Sequence, residues 1–267
     1  MALITLNNIS LRYTSKAAKR LGAMDAGADE LDIAGPLERR SGRNMRINAL
    51  QDVSLTLRDG TRLGIIGSNG SGKTTLLRVL GGLFVPQEGD VTLSGRVATM
   101  FTLGIGMSAE ASGLQNIYLS GLVAGASRKQ IKQILPDIMS FTGLGDYIHL
   151  PISTYSQGMA MRLKFACATA FQPDIILLDE WIGAGDESFQ EKAQARLEKI
   201  LADAGIIVVA SHNIKLIQDV TTEVLWLERG QVKMLGPTQE VLDARGAERR
   251  KAAEQAADNA KAQARGD

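Results

Sequence analysis

A single cysteine, Cys167, excludes an internal disulfide, and its apolar setting marks a buried, inert thiol rather than a reactive one. Aromatic residues make up only 4% of the chain, too few for the stacking platforms that hold single-stranded nucleic acid. Lys+Arg 30 against Asp+Glu 29 leaves a formal net charge of +1, so the basic bias of a nucleic-acid binder is missing too. No apolar run approaches the ~20 residues that a membrane helix needs. The longest, at 175–178 and 205–210, have the length of strands. The first ten residues lack a basic stretch leading into a long apolar one, so they do not read as a signal peptide. These absences point to a soluble, cytoplasmic protein without a nucleic-acid partner, whose membrane role, if any, comes through a second protein.

What is present is 45% hydrophobic residues over 267 positions, enough for one large domain or two small ones with a real core. Residues 3–13 alternate like a strand, and 47–57 do so again, with Val53, Leu55 and Leu57 on one face. Between them, 14–46 carries five scattered Gly and Pro residues among mixed charges and reads as a surface insertion, with a short helix at most near 15–24. A turn is expected over 86–90, then strands at 91–93 and 97–101. From about 105 to 170 the character turns helical, with Ile131, Ile134, Leu135 and Ile138 at helical spacing. Strands return at 175–178 and 206–209 around a helix over 188–204, and a hairpin closes about Arg229 and Gly230. The end, 241–267, is polar and either disordered or a solvated helix. This order implies an α/β fold, a mostly parallel sheet with a smaller inserted helical subdomain.

Residues 67–74 read Gly-Ser-Asn-Gly-Ser-Gly-Lys-Thr, the G-x-x-x-x-G-K-[ST] phosphate loop, after an apolar run at 62–66 and before a helical stretch over 74–80. Gly67, Gly70 and Gly72 let the backbone turn tightly enough for successive N–H groups, through Ser68, Asn69 and Ser71, to point at one anion. The helix that starts there, at Thr74 and Thr75, adds the positive end of its dipole. Lys73 is placed to reach the β- and γ-phosphates, and Thr74 to offer a hydroxyl to Mg²⁺. The chain therefore reads as a nucleotide binder.

Two further sites belong to the same chemistry. The apolar strand at 175–178 ends in Asp179 and Glu180, and ligands of a parallel sheet gather at the carboxyl ends of its strands. Asp179 suits Mg²⁺, while Glu180 suits orienting and partly deprotonating a water that attacks the γ-phosphate. His212 follows the strand at 206–209 and can contact the γ-phosphate or the water as a neutral imidazole.

With Thr-Tyr-Ser-Gln-Gly-Met at 154–159 added, the constellation resembles the ATP-binding-cassette ATPases. Their signature segment, usually Leu-Ser-Gly-Gly-Gln, is matched here at Ser156 and Gly158, with Gln157 between them, and departs elsewhere. The resemblance spans roughly 3–240, and implies a P-loop NTPase core with an antiparallel β-subdomain and an inserted α-helical subdomain. It implies a cassette at 1–240 with a separate tail, ATP and Mg²⁺ as cofactors, and a head-to-tail homodimer. In that pair Ser156, Gln157 and Gly158 of one copy complete the ATP pocket of the other. Asp186 would face the partner copy, Ser211 and His212 match the histidine loop, and Tyr13 resembles the aromatic that stacks on adenine. Where most cassettes carry a coupling glutamine, this chain has Thr102 and Leu103. Within the superfamily, the segments at 103–117, 155–163 and 179–189 resemble ATPase subunits that export O-antigen, capsular polysaccharide or teichoic acid. That kinship implies an integral membrane permease as partner and a place on the cytoplasmic face of the inner membrane. Two other readings compete: a soluble cassette ATPase acting on DNA or ribosomes, and a P-loop kinase for a small molecule. The first calls for a long coiled coil or a second cassette, and the second leaves 155–159 unexplained.

Overall fold

The computed structural model describes residues 1–14, 37–39, 45–101, 103–104, 106–179 and 187–263. Strand β1 (Leu3–Thr14) buries Ile4, Leu6, Ile9 and Leu11. Strict alternation would throw Ile9 to the opposite face from Leu6. A bulge at Asn8 (φ 49°) restores it, and the Asn8 side chain donates to Asp52, itself at φ 51° on the facing strand (2.6 Å). The facing strand is β3 (Met45–Arg58), where Val53, Leu55 and Leu57 are buried as their spacing predicts. A three-residue strand, β2 (Leu37–Arg39), pairs on the outside of β3, so the segment read as an insertion contributes an edge strand. The helix expected near 15–24 lies outside the described residues.

Next come β4 (Arg62–Ile66), α1 (Lys73–Leu80), β5 (Glu88–Ser94) and β6 (Val97–Thr99). The expected turn over 86–90 is overtaken by β5, which starts at Glu88 and pairs antiparallel with β1. Gly89 explains the misreading. At φ 84° it sits so close to the Asn7 and Asn8 carbonyls that a Cβ would meet them at 2.3 and 2.5 Å, so a turn-forming residue here serves a strand. The sheet order is β2-β3-β1-β5.

The helical layer consists of α2 (Gly113–Val123), α3 (Arg128–Thr142) and α4 (Gln157–Ala170). Ser112 with Gln115 and Ser127 with Gln130 form capping boxes at the first two, and Gly143 at φ 61° ends α3. Ile117, Ile131, Ile138, Leu144, Ile148 and Leu163 make a core of its own. Phe141 and Phe165 stack at 5.9 Å, and both meet Phe189 edge-on, which ties this layer to the sheet.

The rest is β7 (Ile175–Asp179), α5 (Glu187–Asp203), β8 (Ile206–Ala210), α6 (Ile214–Val220), β9 (Glu223–Glu228), β10 (Gln231–Pro237) and α7 (Thr238–Gln263). The second sheet runs β10-β9-β4-β8-β7-β6, with every pairing parallel except the β9–β10 hairpin. Its central strands β4, β7 and β8 are apolar on both faces because structure covers both. Helix α7 begins before residue 240, where the sequence suggested the cassette ends, and Val241 in its first turn is fully buried. Among the described residues no helix is long and apolar enough to cross a membrane.

Candidate functional site

Strand β4, with β8 on one side and β9 on the other, delivers the phosphate loop at its carboxyl end. Gly70 (φ 70°) and Gly72 (φ 104°) take left-handed backbone conformations that L side chains rarely adopt. A Cβ on Gly67 would lie 2.3 Å from both the Leu227 carbonyl oxygen and Ser71 Oγ, and one on Gly72 would lie 2.6 Å from the Ala49 carbonyl oxygen. The loop is thus pressed against β9 and β3 with no room for side chains. Lys73 opens α1 and is buried, yet its ammonium stays at the loop and donates to the Gly67 and Ser68 carbonyls at 3.1 and 2.9 Å. Ser68, Asn69, Gly70 and Thr74 are exposed, while Thr75 is half-buried. Ser71 faces inward, and its fully buried hydroxyl has no hydrogen-bond partner among the described residues.

Around this cradle stand several of the residues singled out in the sequence. The Tyr13 hydroxyl lies 3.1 Å from Thr75 Oγ1, so β1 brings it to the start of α1. Asp179 ends β7 half-buried, in register with Ala210 of β8. Buried Ser211 accepts the Asn213 N–H at 3.0 Å, which shapes the turn that leaves His212 exposed. His212 and Gly67, Ser68 and Asn69 line one cleft of about 440 Å³. Glu180, Asp186 and Thr102 lie outside the described residues.

Ser156, Gln157 and Gly158 are exposed at the start of α4, which packs on α2, α3, α5 and β6. Ser156 is the N-cap, accepting the Met159 N–H at 3.2 Å. Tyr155, in place of the usual leucine, donates to the Tyr147 carbonyl at 2.6 Å; burial raises its pKa above the ordinary value, partly offset by a backbone hydrogen bond to Gly113.

Sequence reasoning missed a support of the loop. At the β9–β10 turn, Arg229 (φ 49°) and Gly230 (φ 77°) fold back so that the Gly230 N–H donates to the Ser71 carbonyl at 3.0 Å. The Gln51 N–H in turn donates to the Gly230 carbonyl at 2.8 Å. The Arg-Gly pair signalled the hairpin but nothing about where its tip lands. Also missed were Arg245, Glu248 and Arg249 of α7, which close the far side of the cleft.

The sequence profile of the ABC transporter family matches residues 50–183. The chain belongs to the ABC transporter family. The O-antigen export system ATP-binding protein RfbE of Yersinia enterocolitica is 43% identical to this cassette over 76% of the chain and 84% of that protein. The O-antigen export system ATP-binding protein RfbB of Myxococcus xanthus is 36% identical over 76% of the chain and 47% of that protein. The teichoic acids export ATP-binding protein TagH of Shouchella clausii is 37% identical over 73% of the chain and 54% of that protein. The chain thus spans about half the length of the last two. Among solved structures, an ATP-binding subunit of an ABC transporter shares the fold with a TM-score of 0.65 at 19% identity, covering 91% of this chain and 93% of that one. A dimeric ATP-binding cassette bound to ADP and Pi shares it at 0.61 and 21% identity, over 88% of this chain and 98% of that one. The cassette is an ABC-type ATPase domain and its nucleotide is ATP.

Proposed function

We propose that this chain is the ATP-hydrolysing subunit of an exporter that moves a polysaccharide, of the O-antigen, capsular or teichoic-acid kind, across the inner membrane. Two copies would work from the cytoplasmic face beneath a separate membrane-spanning permease, with no nucleic acid involved. The observation that carries the chemistry is the Lys73 ammonium held inside a glycine cradle by two loop carbonyls. Phosphate oxygens of ATP can replace those carbonyls as partners, putting an anionic acceptor against the ammonium in place of a neutral one. The names of the relatives, all export proteins, carry the substrate class; nothing in them favours an ATPase of DNA or ribosomes.

In this reading the amides of 67–75 and Lys73 bind and neutralise the phosphates, and Tyr13 stacks on the adenine. The oxygens of Thr74 and Asp179 suit Mg²⁺, a hard cation. Among the described residues no cluster of three or more acidic, His or Cys side chains can hold a metal, so the nucleotide's own oxygens would complete its shell. Bound there, Mg²⁺ would supply charge neutralisation for the phosphates. Glu180 takes a proton from the attacking water, and His212 steadies the γ-phosphate. Ser156, having accepted Met159 N–H, keeps its own O–H to donate to a phosphate of the partner copy's ATP. Gln157 and Gly158 lend their amides there, and the contact with the partner copy is the role assigned to Asp186.

A groove of about 460 Å³ between β6 and the helical layer, lined by Leu103, Met107, Val123 and Phe171, gives an apolar element of the permease a seat. Leu83 and Val123 of this lining are exposed. The test is Glu180→Gln. ATP binding should persist, turnover should fall on the order of 100-fold or more, and a dimer should persist on size exclusion with ATP. A monomer with near-normal hydrolysis would overturn the proposal.

A further inference from the structure

The cleft beside the phosphate loop has two walls. One is Gly67, Ser68, Asn69 and His212; the other is α7, through Arg245 and Arg249, over a floor that includes Trp226. Arg245 and Arg249 are four residues apart in a helix, so they share one face in adjacent turns. Among the described residues neither guanidinium has a hydrogen bond or an ion pair. The carboxylates of the cleft are committed elsewhere. Lys233 donates to Glu228 at 2.8 Å and also to Glu248, while its ammonium lies 4.3 Å from the Trp226 ring centroid. Three cations, Arg245, Arg249 and Lys233, thus stand against two carboxylates, Glu228 and Glu248, and the one positive charge left over falls to the guanidinium pair. Burial, and then the like charge of Arg249, hold the Arg245 guanidinium below its ordinary pKa, so an anion between them would relieve both.

The cleft also has a direction. Tyr13 and Thr75 mark the end of the site where the nucleoside part would lie, and neither lines it. It opens from the first residues of the loop and from His212, on the side where the γ-phosphate would sit. Guanidinium is planar and matches a tetrahedral oxyanion with paired donors.

We propose that Arg245 and Arg249 form a receiving site for the inorganic phosphate produced by hydrolysis, next to the loop it leaves. This inference rests on the ATPase reading above. The transfer is non-covalent: the anion, already cleaved, exchanges loop amides and Lys73 for two guanidiniums on its way to solvent. Through α7 the cassette would thereby register that hydrolysis has occurred while ADP is still bound.

The test titrates the full chain, saturated with Mg²⁺ and ADP, with inorganic phosphate in a calorimeter. The double variant Arg245→Gln/Arg249→Gln should bind phosphate about 10-fold or more weakly, from the loss of charge-assisted bonds. ADP affinity and helix content should stay unchanged, and product inhibition of ATP turnover by phosphate should weaken by the same factor. The Arg→Lys pair should recover most of the affinity. Should the double variant not fold, Arg249→Gln alone, at an exposed position, should still weaken phosphate by roughly threefold. Equal phosphate affinity in the Gln variant and the native chain, or no phosphate binding by the native ADP complex, would overturn the inference and leave the ATPase reading standing. A native chain that binds neither ADP nor ATP would overturn that reading and the inference with it.

Discussion

Gly67→Ala puts the architecture of the phosphate loop to its sharpest test. The added methyl would sit 2.3 Å from the Leu227 carbonyl oxygen and 2.3 Å from Ser71 Oγ, about 1 Å inside ordinary contact. Leu227 is fully buried in a strand paired on both sides, so the loop must move and the strand cannot. Overpacking of this kind costs about 1–3 kcal/mol. The displacement also strains the Gly230-to-Ser71 bond and the Lys73-to-Gly67 bond, each worth about 1 kcal/mol net. The total is roughly 3–5 kcal/mol, which for a domain of this size lowers the unfolding midpoint by on the order of 10 °C. A loop displaced by about 1 Å should lose on the order of 100-fold in ATP affinity. Thermal unfolding and titration with a fluorescent ATP analogue measure the two effects separately. Ser71→Ala alone removes a buried hydroxyl that lacks a partner among the described residues, and should be neutral or stabilising. Combined with Gly67→Ala it removes the Ser71 Oγ clash and leaves those with the Leu227 carbonyl oxygen and with Ser71 Cβ at 2.9 Å, so the pair should couple by about 1 kcal/mol in the restoring direction. If Gly67→Ala binds ATP within twofold of the native chain and melts within a degree or two of it, the argument from close packing is wrong.

Three other outcomes follow from buried or paired groups. Asn116 is fully buried, accepts the Ser108 N–H at 2.7 Å and donates to the Ser108, Ala111 and Ser112 carbonyls at 2.9–3.0 Å. Asn116→Ala should cost about 2–4 kcal/mol in urea unfolding, and Asn116→Asp should be no better because its carboxylate meets three carbonyl oxygens. Burial pushes the Cys167 thiol up to about 12 against smaller lowering effects from Ser120 and Arg196. The folded protein should therefore resist an aromatic disulfide reagent at pH 8 until denatured. Its thiol-linked stability should be whole below about pH 8.5 and decline as pH climbs from there toward 12. The Arg96 backbone N–H, donating at 2.7 Å, and then its side chain hold the Asp174 carboxyl below its usual pKa despite partial burial. That contribution is present above about pH 3.9 and is lost as pH falls through the lower folded value. Asp174→Asn should flatten this acid limb of the stability curve.

The strand, loop and helix of 62–80 could be read directly from the sequence because every signal there is local: an apolar run, glycines, then helical spacing. Ser156 was located by its resemblance to the cassette signature, and its role as the N-cap of α4 comes from the structure. Tyr13 was located only by resemblance, and its closeness to Thr75 depends on pairing across β1 and β3. What escaped the sequence is non-local. The Arg229–Gly230 tip supports a loop some 160 positions earlier, and no periodicity encodes that contact. The turn expected at 86–90 failed for a similar reason, because Gly89 answers to carbonyls on β1 rather than to its neighbours. The polar tail had the composition of a helix without an apolar face. Val241, one buried residue near its start, anchors the helix that brings Arg245 and Arg249 to the cleft.

The order of the larger sheet sets where the molecule can give way. Strand β4 is enclosed by β8 and β9, so the backbone that mounts the nucleotide cradle should exchange its amide hydrogens last. Strand β6, three residues long at the margin, leads into the segment bordering the groove, and should exchange among the first. The phosphate loop is thus mounted on a strand held from both sides, while the groove borders one held from a single side.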